Sequence, residues 1–280
     1  LNAFEQRVLA DSISAAFGSG EVSVAQYLDA APRFAEAKQG DVITAPFGDL
    51  EWIKERVANS AQSKRIDRLL REVWGKRLRE LGIDHRDGDS EATKALRVDL
   101  IGMLADHGRP QWLMDELAAR GRKVIGLGSD AGLNADAVHR DLLSPALRAV
   151  VDRDGKPAFD LIQRHLLASE DSVIRGALMG ALASSSDAAL IQRALALGIS
   201  AEVKAGEMSR LYFGAADNPR HHAAIWAFVQ QHYDALLAKA PSVWQGRIPY
   251  YGSAALCSTQ GAEALQTFFA ERVRNLEGGP

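Results

Sequence analysis

Hydrophobic positions recur at three- and four-residue steps along most of the chain, and such runs predict amphipathic helices. The clearest pair lies in residues 216–269, where two runs flank an irregular connector rich in aromatic residues. Asn218 can cap the first helix with Pro219 at its first position, and Ser258 or Thr259 can cap the second. The predicted apolar faces are Ile225, Phe228, Val229, His232, Leu236 and Leu237 in the first helix, and Leu265, Phe268 and Phe269 in the second.

The same pattern predicts four helices in the N-terminal third, divided by short polar breaks. One helix ends at Gly18, and the next begins at Ser23 and is kinked or restarted at Pro32. Two more cover roughly residues 48–59 and 60–81. The face that we expect the first helix to bury consists of Phe4, Val8, Leu9, Ile13 and Ala16.

From residue 92 onward, helical patterns of roughly 12 to 20 residues follow one another without a useful run of strand alternation. The connectors HGRP, DRDGKP and SSSD are short and polar, as in antiparallel helical hairpins. Pairs of helices recur about every 35 to 45 residues, the range of HEAT and armadillo repeats. The sequence therefore predicts an all-α, superhelical array of antiparallel helix pairs in a single domain over residues 1–280.

Composition narrows the range of partners. The chain is 47% hydrophobic and 25% charged with a net charge of -3, which provides no global attraction for nucleic acid or for an anionic membrane. The single cysteine, Cys257, excludes an internal disulfide and a thiolate-rich metal site. The chain begins with Leu1 and ends with Gly-Gly-Pro, so we expect a piece of a longer protein. A cytoplasmic location is favoured, while an envelope or secreted location stays open.

Two loops resemble ligand-binding motifs but fail on their context. Gly126, Gly128 and Ala131 match G-x-G-x-x-A, which needs a preceding strand and a parallel sheet, whereas helical patterns lie on both sides. The acidic loop 84–91 has Arg86 where an EF-hand needs an oxygen ligand. We expect an inter-helix loop and a turn at these two places.

The candidate ligands and nucleophiles do not form a catalytic set. His221 and His222 are adjacent and diverge by about 100° on a helix, so they cannot hold one metal ion from the same face. No H-E-x-x-H and no G-x-S-x-G occurs in the sequence. Cys257 lies beside a predicted helix start, where a structural role is the simpler interpretation. We therefore expect neither a catalytic residue nor a metal or cofactor site in this chain.

A family resemblance rests mainly on the C-terminal stretch. It is carried by Asn218, Arg220, Ala224, Trp226, Phe228, Tyr233, Asp234 and Leu236, and then by Cys257, Ser258, Glu263, Leu265, Phe268 and Phe269. In this order and spacing the chain resembles the C-terminal helical domain of the M1 family of zinc aminopeptidases, although Pro219 stands where the family often has glycine. Residues 5–11 and the segment VHRDLLSPALRAVVDRDGKPAFD extend the resemblance to the first helix and the middle of that domain.

The resemblance implies that the chemistry belongs to another domain. In the family, the zinc-binding H-E-x-x-H and the G-x-M-E-N motif lie upstream in a thermolysin-like catalytic domain, and this sequence contains neither motif. The resemblance implies a HEAT- or armadillo-like concave bowl that closes over the catalytic domain of the same polypeptide. Its expected role is to gate the entry of peptide substrates and to shape their selection, with zinc held only by the missing domain.

The residues that would face a peptide are less clearly marked. Arg220, Arg247, Tyr250 and Tyr251 are candidates because arginine and aromatic side chains suit the concave surface of a solenoid. Helix packing and connector structure are the alternative explanation for all four. A competing function for the whole chain is a stand-alone helical-repeat scaffold that binds another protein through its concave face.

Overall fold

The computed structural model of the protein describes residues 1–129, 131–216, 218–253, 258–274 and 276. The chain divides into two compact units, Leu1–Glu116 and Leu117–Pro280. Every regular element within the described ranges is helical, and no strand occurs there, so the all-α prediction is confirmed. No helix of the described part has the length and apolar character needed to span a membrane. The single domain over residues 1–280 and its concave shape stay predictions.

The first unit is organised around its longest helix. Its helices are α1 (Ala3–Gly18), α2 (Val24–Ala30), α3 (Gly40–Thr44), α4 (Phe47–Trp52), α5 (Ser60–Leu81) and α6 (Glu91–Met103). Helix α5 has the predicted bounds and begins at Asn59, which forms a capping box with Gln62. The indole Nε1 of its fully buried Trp74 donates to the carbonyl oxygen of Ile43 at 2.9 Å, which ties α3 to α5. The ring of Phe47 lies edge-on at 5.6 Å from Trp74.

Helix α1 covers only the C-terminal part of its predicted face, where Ile13 and Ala16 are half-buried. Phe4, Val8 and Leu9 are exposed, whereas Ala10 is buried against Phe34 and Val42. A polar contact also links this helix to α2 and α4, because Ser14 Oγ of α1 and the buried Tyr27 hydroxyl of α2 both donate to Asp49 Oδ2 at 2.5 Å. Periodicity defines an apolar stripe, but it does not determine which neighbour, if any, covers that stripe.

Two π-helical turns lie where regular helices end in the first unit. Helix α4 continues into the turn Ile53–Val57, and α6 continues into Leu104–Gly108. The helix predicted over residues 48–59 is therefore α4 with a π turn, and Val57 at the end of that turn is exposed. Arg109, which ends the second turn, has φ of 50°, the only positive φ among the described non-glycine residues. Turns of this type are frequent at functional sites.

The second unit is a succession of helices of similar length. They are α8 (Arg140–Asp154), α9 (Lys156–Ala168), α10 (Ser172–Ala183), α11 (Ala188–Ile199), α12 (Met208–Ala216) and α13 (His222–Lys239), followed by α14 (Ser242–Gln245), α15 (Ile248–Ser253) and α16 (Thr259–Phe269). Helix α7 (Gln111–Ile125) runs across the boundary into this unit. Helix α10 packs against α8, α9, α11 and α12, and α11 packs against α12 and α13. Contacts between near neighbours in sequence are typical of helical-repeat proteins.

The C-terminal stretch departs from the predicted pair of helices in two respects. Asn218 accepts from the backbone of Arg220 and caps a short 3₁₀ turn, Pro219–His221, that leads into α13. Ser258 caps α16 as predicted, because its Oγ accepts from the backbone N–H of Gly261 at 3.0 Å. The connector is not wholly irregular, since it contains α14 and α15. Cys257 lies outside the described residues.

The glycine-rich loop that matches a dinucleotide motif follows a helix. Val124 and Ile125, which a nucleotide-binding fold would place in a strand, are the last two residues of α7. They are fully buried in the core of the second unit. The loop therefore lacks the strand that the nucleotide motif requires, in agreement with the expectation of an inter-helix loop.

Candidate functional site

The structure places three of the four predicted peptide-facing residues in one short segment. Arg247 directly precedes α15, and Tyr250 and Tyr251 lie within it. Arg220 lies on the separate 3₁₀ turn before α13. The side chains of Arg220, Arg247 and Tyr250 are exposed, and Tyr250 is 64% exposed. Their contact with a peptide stays a prediction.

Tyr251 differs from the other three because it belongs to the core. Only 1% of the residue is exposed, and its ring stacks on Tyr212 of α12 at a centroid distance of 4.9 Å. Burial raises the pKa of the Tyr251 phenol, and the nearby positive charge of Arg247 opposes this shift. Phe213, which is 40% exposed, packs edge-on against Tyr251 at 5.0 Å. In this structure Tyr251 supports a neighbouring exposed ring and offers almost no surface of its own.

Helix α15 lies unusually close to α13. A Cβ atom added to Gly252 would lie 2.7 Å from a ring carbon of Trp226, a distance that real Cβ atoms do not tolerate. Glycine is therefore required at this contact. It fixes the position of the neighbouring exposed segment, which we define by Arg247 and Tyr250.

The exposed segment borders an aromatic cluster on α13 and α16. Trp226 packs edge-on against Phe268 at 5.5 Å, and Tyr233 packs against Phe269 at 5.7 Å. The guanidinium of Arg272 lies over the Phe268 ring, 4.0 Å from its centroid. Aromatic pairs of this geometry stabilise packing beyond the area that they bury. The sticky face predicted for α16 thus packs against α13.

The two adjacent histidines have structural contacts. His221 is 3% exposed, and its Nε2 lies 3.1 Å from Nδ2 of Asn218. Burial is the main cause that lowers the pKa of His221, with the charge of Arg220 a lesser one. His222 Nε2 lies 2.8 Å from the carbonyl oxygen of Ala216. These contacts hold the turn that joins α12 to α13.

A buried ion pair that sequence reasoning missed positions the start of α12. Arg175 of α10 is 3% exposed and donates from Nε and Nη2 to the two carboxylate oxygens of Glu207 at 2.8 and 2.7 Å. It also donates to the carbonyl oxygens of Leu166, Ser169 and Glu202. The hydrogen bonds from Arg175 are the main cause that lowers the pKa of Glu207. The partners are 32 residues apart, so no spacing rule relates them.

The chemistry of the exposed segment suits binding. An exposed phenol, a guanidinium and an aromatic ring can donate hydrogen bonds to peptide carbonyls and pack against apolar side chains. Among the described residues of the first unit, the side chains of Glu51, Glu55 and His107 are grouped closely enough to hold a metal ion.

Comparison with known proteins agrees with the helical architecture. No curated protein matched the chain. The profile of the ERAP1-like C-terminal domain family matches residues 2–278, which is nearly the whole chain. This match confirms the resemblance to the C-terminal domain of M1 aminopeptidases that the C-terminal stretch carries. The chain belongs to the ERAP1-like C-terminal domain family.

Proposed function

We propose that this chain is the non-catalytic C-terminal domain of an M1-family zinc aminopeptidase, where it closes over an upstream catalytic domain. In that position it gates the entry of peptides and shapes their selection. The observation that carries the proposal is the family match over residues 2–278. The proposed partners are the catalytic domain of the same polypeptide and the peptide substrates.

This chain lacks the residues that bind zinc in the catalytic domain of the family. The 280-residue sequence contains no H-E-x-x-H and no G-x-M-E-N. The chain therefore lacks the helical pair of histidines with which that motif binds zinc. In this proposal the domain determines which peptides reach the metal and how far they extend into the closed enzyme. A domain that closes in this way excludes water and unsuitable substrates.

The exposed stripe of α1 supports a partner on the first unit. Phe4 and Val8 are one helical turn apart in α1 and are 75% and 46% exposed, and Leu1, just before the helix, is 77% exposed. An apolar stripe of this kind on a helix marks an interaction surface. We assign this stripe to contact with the upstream domain, and the exposed segment of Arg247 and Tyr250 to contact with peptide.

The proposal is tested by placing acidic side chains in the α1 stripe of the intact enzyme. Phe4→Asp/Val8→Asp should lower kcat/KM for peptides of about ten residues at least tenfold, since loss of about 1.4 kcal/mol of closure energy corresponds to a factor of ten. Turnover of a single aminoacyl fluorogenic substrate, which needs no gate, should change much less. The measurement is the ratio of the two kcat/KM values.

Val173→Asp is the matched control, because Val173 is a 64% exposed apolar residue of α10 outside the stripe. It should leave the ratio unchanged. An equal loss on both substrates would contradict gating. Unchanged kcat/KM values for both substrates, with the fold intact by circular dichroism, would contradict contact between the α1 stripe and the upstream domain.

A further inference from the structure

Three potential metal ligands converge where the two π turns of the first unit meet. Glu51 lies in α4, Glu55 lies in the π turn that follows it, and His107 lies in the π turn after α6. One ligand atom from each of these side chains lies within 4.8 Å of the others. A single cation can therefore contact all three with small side-chain movements, since ligand distances to divalent metals are about 2.0–2.2 Å.

The ligand atoms are only weakly engaged by the protein. His107 Nε2 lies 3.4 Å from Glu51 Oε1, which is longer than a strong charge-assisted contact. The carboxylate of Glu55 has no hydrogen bond or ion pair to any described residue. The two carboxylates thus approach one another without a protein cation between them, and such like charges repel unless a counter-ion is present.

Lys54, which neighbours these ligands, forms its ion pair with Asp67. Lys54 Nζ lies 2.6 Å from Asp67 Oδ1 and 3.4 Å from His107 Nδ1. Its short contact is with Asp67, so this pair is nearly neutral and leaves the charge of Glu51 and Glu55 uncompensated. The side chain of His107 is 13% exposed, whereas that of Glu51 is 50% exposed, which leaves an open path from solvent.

We propose that Glu51, Glu55 and His107 bind a divalent transition-metal ion of the Zn²⁺ class. One imidazole nitrogen and two carboxylate oxygens make a donor set suited to such ions, with water completing the coordination. Calcium and magnesium prefer oxygen ligands alone, so they fit this set less well. This proposal does not depend on the proposed gating function.

The contact of Lys54 with His107 lowers the affinity for the metal. An ammonium that donates to Nδ1 holds the ring proton on Nε2, which is the nitrogen that faces Glu51. Binding of the metal at Nε2 moves the ring proton to Nδ1, and Lys54 then keeps only its contact with Asp67. Lys54→Gln should therefore tighten Zn²⁺ binding, because the imidazole then has no hydrogen bond from an ammonium to give up when its proton moves to Nδ1.

The test is a titration of the 280-residue chain with ZnCl₂, followed by calorimetry and by the ring ¹⁵N resonances of the histidines. Zn²⁺ should shift the Nε2 resonance of His107. His107→Gln and Glu51→Gln/Glu55→Gln should each weaken this binding at least about tenfold, since even residues that only orient ligands contribute about 10- to 100-fold. Both glutamates are exposed, so their replacement does not threaten folding.

Glu72→Gln/Glu80→Gln is the matched control, because it removes two exposed carboxylates from α5 outside the cluster. It should bind Zn²⁺ like the wild type. The proposal is overturned if the His107 resonances stay in place while Zn²⁺ binds elsewhere, if the ligand variants bind like the wild type, or if no Zn²⁺ binds.

Discussion

Arg175 and Arg97 are buried arginines in different units, but their guanidinium groups are paired to different degrees. Every nitrogen of Arg175 donates a hydrogen bond, two of them to Glu207. Arg97 is 1% exposed and donates from Nε to the Gly82 carbonyl at 3.0 Å and from Nη2 to Asp89 Oδ2 at 2.7 Å. Its buried Nη1 has no hydrogen-bond partner within the described part of the protein.

The difference follows from what surrounds each side chain. Arg175 lies among the ends of α9 and α10 and the loop before α12, where helix termini leave backbone carbonyls unpaired. Arg97 faces the polar loop 84–91, which supplies one carboxylate, and the Gly82 carbonyl after α5. The comparison teaches that a buried arginine is stabilising to the extent that helix ends and acids satisfy all of its donors.

The largest expected effect comes from removing the fully paired arginine. Arg175→Met should lower the free energy of unfolding by about 3–5 kcal/mol, because it leaves Glu207 buried without its cation. Urea unfolding followed by circular dichroism measures this loss. Arg193→Met is the matched control, since the exposed Arg193–Asp160 pair should contribute only about 0–1 kcal/mol. Equal losses in the two variants would show that the Arg175 network stabilises the fold no more than an exposed ion pair does.

A smaller effect is expected for the partly paired arginine. Arg97→Met should lower the free energy of unfolding by about 1–3 kcal/mol, because fewer acceptors lose their donor. Asp89 keeps the hydrogen bond from the backbone N–H of Arg86 at 2.7 Å. The same urea titration compares the two variants directly. A loss greater than that of Arg175→Met would reverse the comparison.

The smallest effect is in the dependence of stability on pH. The pKa of Glu207 is lowered from 4.5, so near this pH the unfolded state binds more protons than the folded state. Its contribution is therefore present above about pH 4.5 and is lost as the pH falls through the lowered pKa of the folded state. The difference in unfolding free energy between wild type and Glu207→Gln should shrink as the pH is lowered below 4.5.

Asp89 provides the counterpart in the first unit. The backbone N–H of Arg86 is the main cause that lowers its pKa from 3.8, with Arg97 contributing further. The sign is the same, but the loss should begin near pH 3.8. The unfolding free energies of Glu207→Gln and Asp89→Asn, each compared with the wild type, should thus change over different pH ranges. Coincident curves would contradict different environments for the two carboxylates.

Sequence patterns located most of the helices and the buried face of α13, but not the extent to which α1 buries its apolar face. The bounds of α5 and the caps at Ser23 and Ser258 follow from local hydrogen bonding and propensity, so they were predictable. The stripe of Phe4, Val8 and Leu9 has the same periodicity as a buried face, yet it is exposed. Burial depends on which neighbour is present, and periodicity carries no such information.

The candidate peptide-facing residues show the same limit. Tyr250 and Tyr251 are adjacent and of one type, so composition treats them alike. The turn of α15 directs one to solvent and the other against Tyr212. Likewise, the grouping of Glu51 with His107 joins residues that are far apart in sequence, and no motif spacing could have found it.

The sequence by itself determined the all-α class and the family, because both depend on local periodicity and on the order of residues along the chain. It also determined that the H-E-x-x-H chemistry is absent from this chain. Only the tertiary structure decided which side chains are buried, how completely Arg175 and Arg97 are paired, and which distant ligands converge. These properties depend on distances between residues remote in sequence, and those distances exist only after the helices have packed.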